Sequence, residues 1–367
     1  MQSDNNLVMK IGILSMQHVR NYGSFLQAYA LKTTLESLGH QCEFVELEEG
    51  EQLPGLKRNF KYLISMAFKR YFNWTAIKNF PQKWRFTRIY QRRFDNEFLP
   101  ELGVHKHEIP KYDYVVIGSD EVFNFNQRAS FGFTTQLYGN VKNADKVISY
   151  AGSFGTTTLE DINHYGVRNK IIEAMRKMSA ISVRDTNSVE VVRNLLGIEP
   201  SFNIDPVLLL DYQKYAVQPK ETNYIVVYSY PNRIKGKEVD AIKKFSQEKG
   251  KKLISICFYF PWCDETVIPH PFEVLGYMKH SDFIITDTFH GCVMSIKFNK
   301  QFVALVRESN KQKMSSLLNQ FGLGNRMCES FDKLTEMMDS FIDYRAVNNL
   351  LDSEKTKSIM YLKESII

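Results

Sequence analysis

His290 stands in the run Thr286-Asp287-Thr288-Phe289-His290-Gly291, between the apolar stretches 283–285 and 293–298. The first stretch reads as a buried strand and the second as a helix. That order sets an imidazole and several hydroxyls beside a helix N-terminus, where backbone N–H groups favour anions. An imidazole there can move protons at neutral pH. In open α/β sheets this carboxyl edge of the strands is where ligands bind. The structural alternative is that Thr288 caps the helix and His290 packs in the core.

Three further strand ends carry chemistry. Arg20-Asn21-Tyr22-Gly23-Ser24 follows an apolar strand at residues 10–15. Gly23 allows close backbone approach and Ser24 is placed to cap the next helix, which makes a second anion cradle or an ordinary turn. Gly118-Ser119-Asp120 follows residues 114–117 and offers a carboxylate for acid–base work or for capping. Arg184 follows residues 180–183. Its planar fork suits a carboxylate or phosphate, or the neighbouring Asp185. Arg307, Lys311 and Lys313 cluster after a strand at 302–305. These strand ends describe a pocket for a small, multiply anionic molecule. They do not name a reaction.

The elements that must hold these groups alternate regularly. Strands are expected at 10–15, 43–47, 114–117, 147–151 and 180–183. Helices fall at 25–38, 159–178 and 188–196. The alternation restarts near Asn203-Ile204-Asp205-Pro206, with strands at 224–228, 253–257, 283–285 and 302–305. Helices there fall at 237–247, 271–279, 293–298, 315–321 and 331–344, with a last one at 348–364. Strand–helix alternation argues for parallel sheets built from βαβ units. The expected fold class is α/β, with two doubly wound, Rossmann-like domains and a cleft between them. The first spans 1–205 with an insertion at about 52–107, the second spans 206–345, and a C-terminal helix at 346–367 crosses back to the first.

A chain of 367 residues exceeds one ordinary core. Hydrophobic content of 44% and charged content of 24% are those of a soluble globular protein, and no apolar run is long enough to span a bilayer. Five cysteines without a CxxC pair read as thiols of a reducing compartment, so a cytoplasmic location without metal or disulfide is expected. The net charge of +6 is concentrated: Lys57 to Arg93 contains eleven Lys or Arg and no Asp or Glu. Ten aromatics, among them Trp74, Trp84, Phe86 and Tyr90, are interleaved with them. This segment reads as amphipathic helices with solvated charges, or as a peripheral contact with an anionic membrane surface. No recognised nucleic-acid module accompanies it.

Beyond residue chemistry, the chain resembles the polysaccharide pyruvyl transferase family. The resemblance is carried by Lys10 to Leu14, Asn21 to Leu31, Val116 to Asn124, Ile148 to Gly155, Ile181 to Asp185, Asp205-Pro206, Thr286 to Gly291, and Leu317 through Gly322 to Arg326. It implies a fold like that of GT-B glycosyltransferases. It also implies transfer of a pyruvyl group from phosphoenolpyruvate, as a ketal, to a sugar diol of an exopolysaccharide or surface-polysaccharide precursor. The donor is a substrate, so no separate cofactor is implied, and the acceptor is a sugar or a lipid-linked oligosaccharide. His290 and Asp120 become the expected general acid and base, in unassigned order. Arg184, Asn21, Gly23, Ser24, Thr288, Gly291, Arg307 and Lys311 become the expected donor contacts, with Ser119 and Glu121 on the acceptor side. One branch of the family has Arg-Leu-His where this chain has Thr288-Phe289-His290, and Arg307 or Lys311 would replace that arginine. The alternatives are a nucleotide-sugar-dependent glycosyltransferase on the same architecture, since fold does not fix function, and a non-catalytic, membrane-peripheral binding protein of polysaccharide assembly.

Overall fold

The structure is a computed structural model that describes residues 7–54, 79–104, 111–127 and 131–367. Much of the basic aromatic segment, including Trp74, lies outside the described residues. The chain divides into two compact units. One comprises residues 1–56, 99–210 and 351–367, the other residues 57–98 and 211–350.

The first unit holds a six-stranded sheet in the order β2-β1-β3-β4-β5-β6. Its strands are β1 (Lys10–Leu14), β2 (Gln41–Phe44), β3 (Tyr112–Asp120), β4 (Ala144–Gly152), β5 (Ser182–Val183) and β6 (Ser201–Phe202). All neighbours pair in parallel. Helices cover both faces of such a sheet, which is why Ile11 to Leu14 and Tyr114 to Ile117 are buried as continuous runs, without alternation. The register pairs Leu14 with Ile117, Asp120 with Gly152, and Gly152 with Val183. Ser15, Asp120 and Arg184 thus emerge along one carboxyl edge.

The second unit repeats the plan with β7 (Tyr224–Tyr228), β8 (Lys252–Ile256), β9 (Glu265–Val267), β10 (Phe283–Thr286), β11 (Phe302–Leu305) and β12 (Met327–Cys328). Their order is β12-β11-β10-β7-β8-β9, again all parallel. Thr286 pairs with Tyr228 on one side and Ala304 on the other, so residues after β7, β10 and β11 share an edge. Each unit packs its own apolar core, one around Val115, Ile117 and Phe154, the other around Val227, Ile285 and Leu305.

Several expected boundaries move for local reasons. The helix expected at 159–178 is two, Leu159–His164 and Arg168–Met175, separated where Gly166 adopts φ +65°. The strand expected at 43–47 is β2, whose register against β1 begins at Gln41. Ser340, with extended backbone, ends Phe331–Asp339 early, and the last helix starts at Tyr344 and runs to Ser365. Its last turns are tied into the first unit. Ser358 Oγ accepts from the Ile204 amide at 3.2 Å, and the Tyr361 hydroxyl donates to the Ser149 carbonyl at 2.7 Å. The helix Phe80–Arg93 packs in the second unit, where Phe86 stacks on Tyr259 and Tyr90 meets Phe258.

Candidate active site

On the first unit's edge, Asn21 caps the helix Tyr22–Ser37, its side chain accepting from the amides of Gly23 and Ser24. Ser24 is therefore not the cap. Its hydroxyl is released to donate to Asp120 Oδ2 at 2.7 Å. Asp120 has φ +75°, a conformation non-glycine residues rarely adopt. Two residues earlier Gly118 has φ +134°, and a Cβ there would lie 2.0 Å from the Tyr150 carbonyl oxygen. Backbone outliers of this kind gather at functional sites.

Arg184 does not form the surface pair with Asp185 that adjacency allowed. Its guanidinium, only 3% exposed, donates to Asp205 Oδ2 at 2.6 Å and to Asp120 Oδ1 at 3.0 Å. Asp185 caps the helix Thr186–Leu196 through the Ser188 amide and accepts from Ser153 Oγ. Burial opposes the charge of Arg184, but the carboxylates of Asp120, Asp205, Asp185 and Glu121 outweigh it and hold its pKa above the ordinary value. Four carboxylates thus act on one buried guanidinium. Arg184 is held between two aspartates. Ser119, expected on the acceptor side, is fully buried and donates to Gln27, so it presents no group to a ligand. Glu121 is half-buried and accepts from Asn124 Nδ2 at 2.6 Å.

On the second unit's edge, Thr288 is the N-cap of the helix Phe289–Lys297 and accepts from the Gly291 amide at 2.9 Å. The helix expected at 293 therefore begins four residues earlier, and His290 lies in its first turn. A Cβ on Gly291 would sit 2.1 Å from Thr286 Oγ1, so only glycine fits beneath this turn. Asp287 is fully buried: Oδ1 accepts from the Tyr230 amide at 3.0 Å and Oδ2 lies 3.3 Å from the Arg233 guanidinium. Burial pushes the Asp287 carboxyl above its usual range, against the lowering pull of those partners. Arg233 lies over the Tyr230 ring at 4.8 Å. Asn310 donates to the Asp287 carbonyl at 2.7 Å and accepts from the Arg307 amide. Arg307 forks onto Glu238 at 2.7 and 2.9 Å, and Lys311 pairs with Glu329 at 3.1 Å. Arg233 and Arg307 remain partly open, 31% and 26% exposed.

Arg233 and Asn310 were not singled out by sequence. The signal for Arg233 was available, because it is a basic residue a few positions past the strand end that neighbours β10. Among the described residues no group of three His, Cys, Asp or Glu side chains is arranged to hold a metal ion. All five cysteines are free thiols. No helix among the described residues is long and apolar enough to cross a membrane.

The family model for polysaccharide pyruvyl transferases matches residues 21–309, more than half of the 367-residue chain, from the Asn21 cap through Arg307. The chain belongs to the polysaccharide pyruvyl transferase family. Its members modify polysaccharide, so the protein is a transferase of polysaccharide biosynthesis. No curated protein matches the sequence. Among solved structures, the glycotransferase of kitacinnamycin is similar at 8% identity and a TM-score of 0.51, over 98% of this chain and 100% of that one. UGT89C1 of Arabidopsis thaliana, complexed with quercetin, gives 10% identity and 0.46 over 98% and 100%. The UDP-GlcNAc 2-epimerase of Methanocaldococcus jannaschii gives 11% and 0.47 over 96% and 100%. At such identities the likeness is one of fold, and it is the GT-B type that the resemblance implied for this pyruvyl transferase family member.

Proposed function

We propose that the protein transfers the pyruvyl group of phosphoenolpyruvate to two hydroxyls of a sugar in a surface-polysaccharide precursor, leaving a cyclic ketal. Within a chain of this family, the observation that carries this reading is how the arginines of the two strand edges are held, buried in the first unit and half-open in the second. The second unit's edge presents half-open arginines, Arg233 and Arg307, and a helix N-terminus carrying His290. That set suits a donor with a carboxylate and a phosphate. The first unit's edge encloses its arginine among carboxylates. Carboxylates at such an edge accept hydrogen bonds from sugar hydroxyls. The donor contact expected at Arg184 is accordingly reassigned to Arg233.

The chemistry needs one acid and one base. Protonation of the methylene carbon makes the neighbouring carbon electrophilic, and a first hydroxyl adds to it. A second hydroxyl then displaces phosphate. Two C–O bonds form and the bond to phosphate breaks. One hydroxyl proton ends on the new methyl group and the other leaves with phosphate. His290 supplies the first proton. Asp120, which accepts from Arg184 and Ser24, takes the hydroxyl proton. Phosphoenolpyruvate is a substrate, and the balance calls for no cofactor.

Thermal unfolding with phosphoenolpyruvate, and separately with UDP- and GDP-sugars, tests this reading. A ligand at a hundredfold its dissociation constant adds about 2.7 kcal/mol to the folded state. A raised midpoint with phosphoenolpyruvate, lost in Arg233→Gln, is expected. A rise with a nucleotide sugar alone would move the assignment to a glycosyltransferase.

A further inference from the structure

The helix Phe80–Arg93 has a use that sugar chemistry does not explain. Its inward face is settled by packing: Phe86 stacks on Tyr259 at 5.5 Å, Tyr90 meets Phe258 at 6.1 Å, and Arg93 donates to the Ile268 carbonyl. The spacing 86, 90, 93 is that of one helical stripe. The opposite stripe carries Trp84, Arg88 and Arg92, flanked by Arg85, all exposed. Trp84 is 52% exposed and Phe80, at the helix start, 48%. The Arg88 guanidinium lies over the Trp84 ring at 4.9 Å. The helix has no Asp or Glu, and among the described residues no carboxylate pairs with Arg85, Arg88 or Arg92.

A solvated helix face has no need of a half-exposed tryptophan among arginines. A face that lies in a lipid headgroup layer does, because the ring is amphipathic and the guanidinium groups meet phosphates. We infer that the outer face of Phe80–Arg93 is a docking surface for a bilayer rich in anionic phospholipid. The helix is about 21 Å long and lies along the headgroups without crossing them. Charge complementarity selects the lipid. Phe80 favours it over nucleic acid, since a bilayer rewards burial of such a side chain without a matching base. The inference goes beyond the transfer reaction and does not depend on the donor.

The test is co-sedimentation of the full chain with phosphatidylglycerol–phosphatidylcholine vesicles and with phosphatidylcholine vesicles alone. Binding to the anionic vesicles is expected, falling as salt is raised. Each outward arginine contributes about fivefold. Combined Arg85→Gln, Arg88→Gln and Arg92→Gln therefore weakens partition roughly a hundredfold, with the thermal midpoint unchanged. Trp84→Ala weakens it about tenfold. Equal binding to both vesicle types, or variants that bind like wild type, overturns the inference. So does a single-stranded RNA that the same arginines hold more tightly than the vesicles.

Discussion

Replacing Arg184 by Met separates a structural arginine from a ligand-binding one. The guanidinium holds Asp205 at 2.6 Å and Asp120 at 3.0 Å, with the Asp205 side chain fully buried and that of Asp120 13% exposed. Methionine fills most of the volume but leaves two carboxylates without their cation. Breaking a buried pair in this way costs about 3–5 kcal/mol. For a unit of this size each kcal/mol lowers the midpoint by about 2–4 °C. The expected drop is thus about 6–20 °C in the transition that reports on the first unit, followed by circular dichroism. A variant within about 1 kcal/mol of wild type that has lost all response to phosphoenolpyruvate would refute the reasoning, because the guanidinium would then be serving a ligand and not two aspartates.

Other positions give independent tests. His290→Gln should fold normally and lower phosphate release from phosphoenolpyruvate in the presence of acceptor by about 10²–10⁴-fold, the usual worth of a positioned proton donor. Thr288→Ala removes the cap that receives the Gly291 amide and should cost about 1 kcal/mol in urea unfolding. Asp287→Asn tests the raised carboxyl. A folded-state pKa above the unfolded one gives stability below the ordinary carboxylate range that is lost as pH rises through the raised value. The asparagine variant should therefore gain on wild type between pH 4 and 7. Arg326→Met leaves the carbonyls of Phe302 and Met337 without their buried donor, at about 1–3 kcal/mol for each unmet group.

Much of the fold was legible because parallel strands buried on both faces write themselves as short apolar runs. β7 (Tyr224–Tyr228) and β11 (Phe302–Leu305) match the runs read from sequence. Boundaries were less legible where a cap decides them. Periodicity began the helix at 293, because Phe289 to Cys292 gives no clear apolar stripe, whereas the Thr288 hydroxyl starts it at Phe289. The strand ends of the site were legible for the same reason as the strands. The partners of Arg184 were not, since Asp120 and Asp205 lie 64 and 21 residues away and only the sheet register brings them together. Sequence adjacency pointed to Asp185, which capping had already claimed.

That difference bears on how charge was read from the sequence. The Arg184 strand end, taken singly, described an anion site, because a lone arginine at a strand end attracts a phosphate. Taken with its neighbours, Arg184 serves to keep two carboxylates together. Asp205 holds it from behind by a side chain that also caps Pro206–Leu209, and Asp120 takes its other nitrogen together with the Ser24 hydroxyl. Asp120 is thereby fixed on both oxygens, at a backbone conformation that few residues adopt. On the proposed function, a carboxylate held so firmly serves a hydroxyl and not an anion. Arg233, by contrast, rests on a single carboxylate with its outer edge open. It follows that Arg233→Gln should raise the KM for phosphoenolpyruvate more than it lowers kcat, and Ser24→Ala should do the reverse. Equal effects of Ser24→Ala on both constants would show that Ser24 only shapes the pocket.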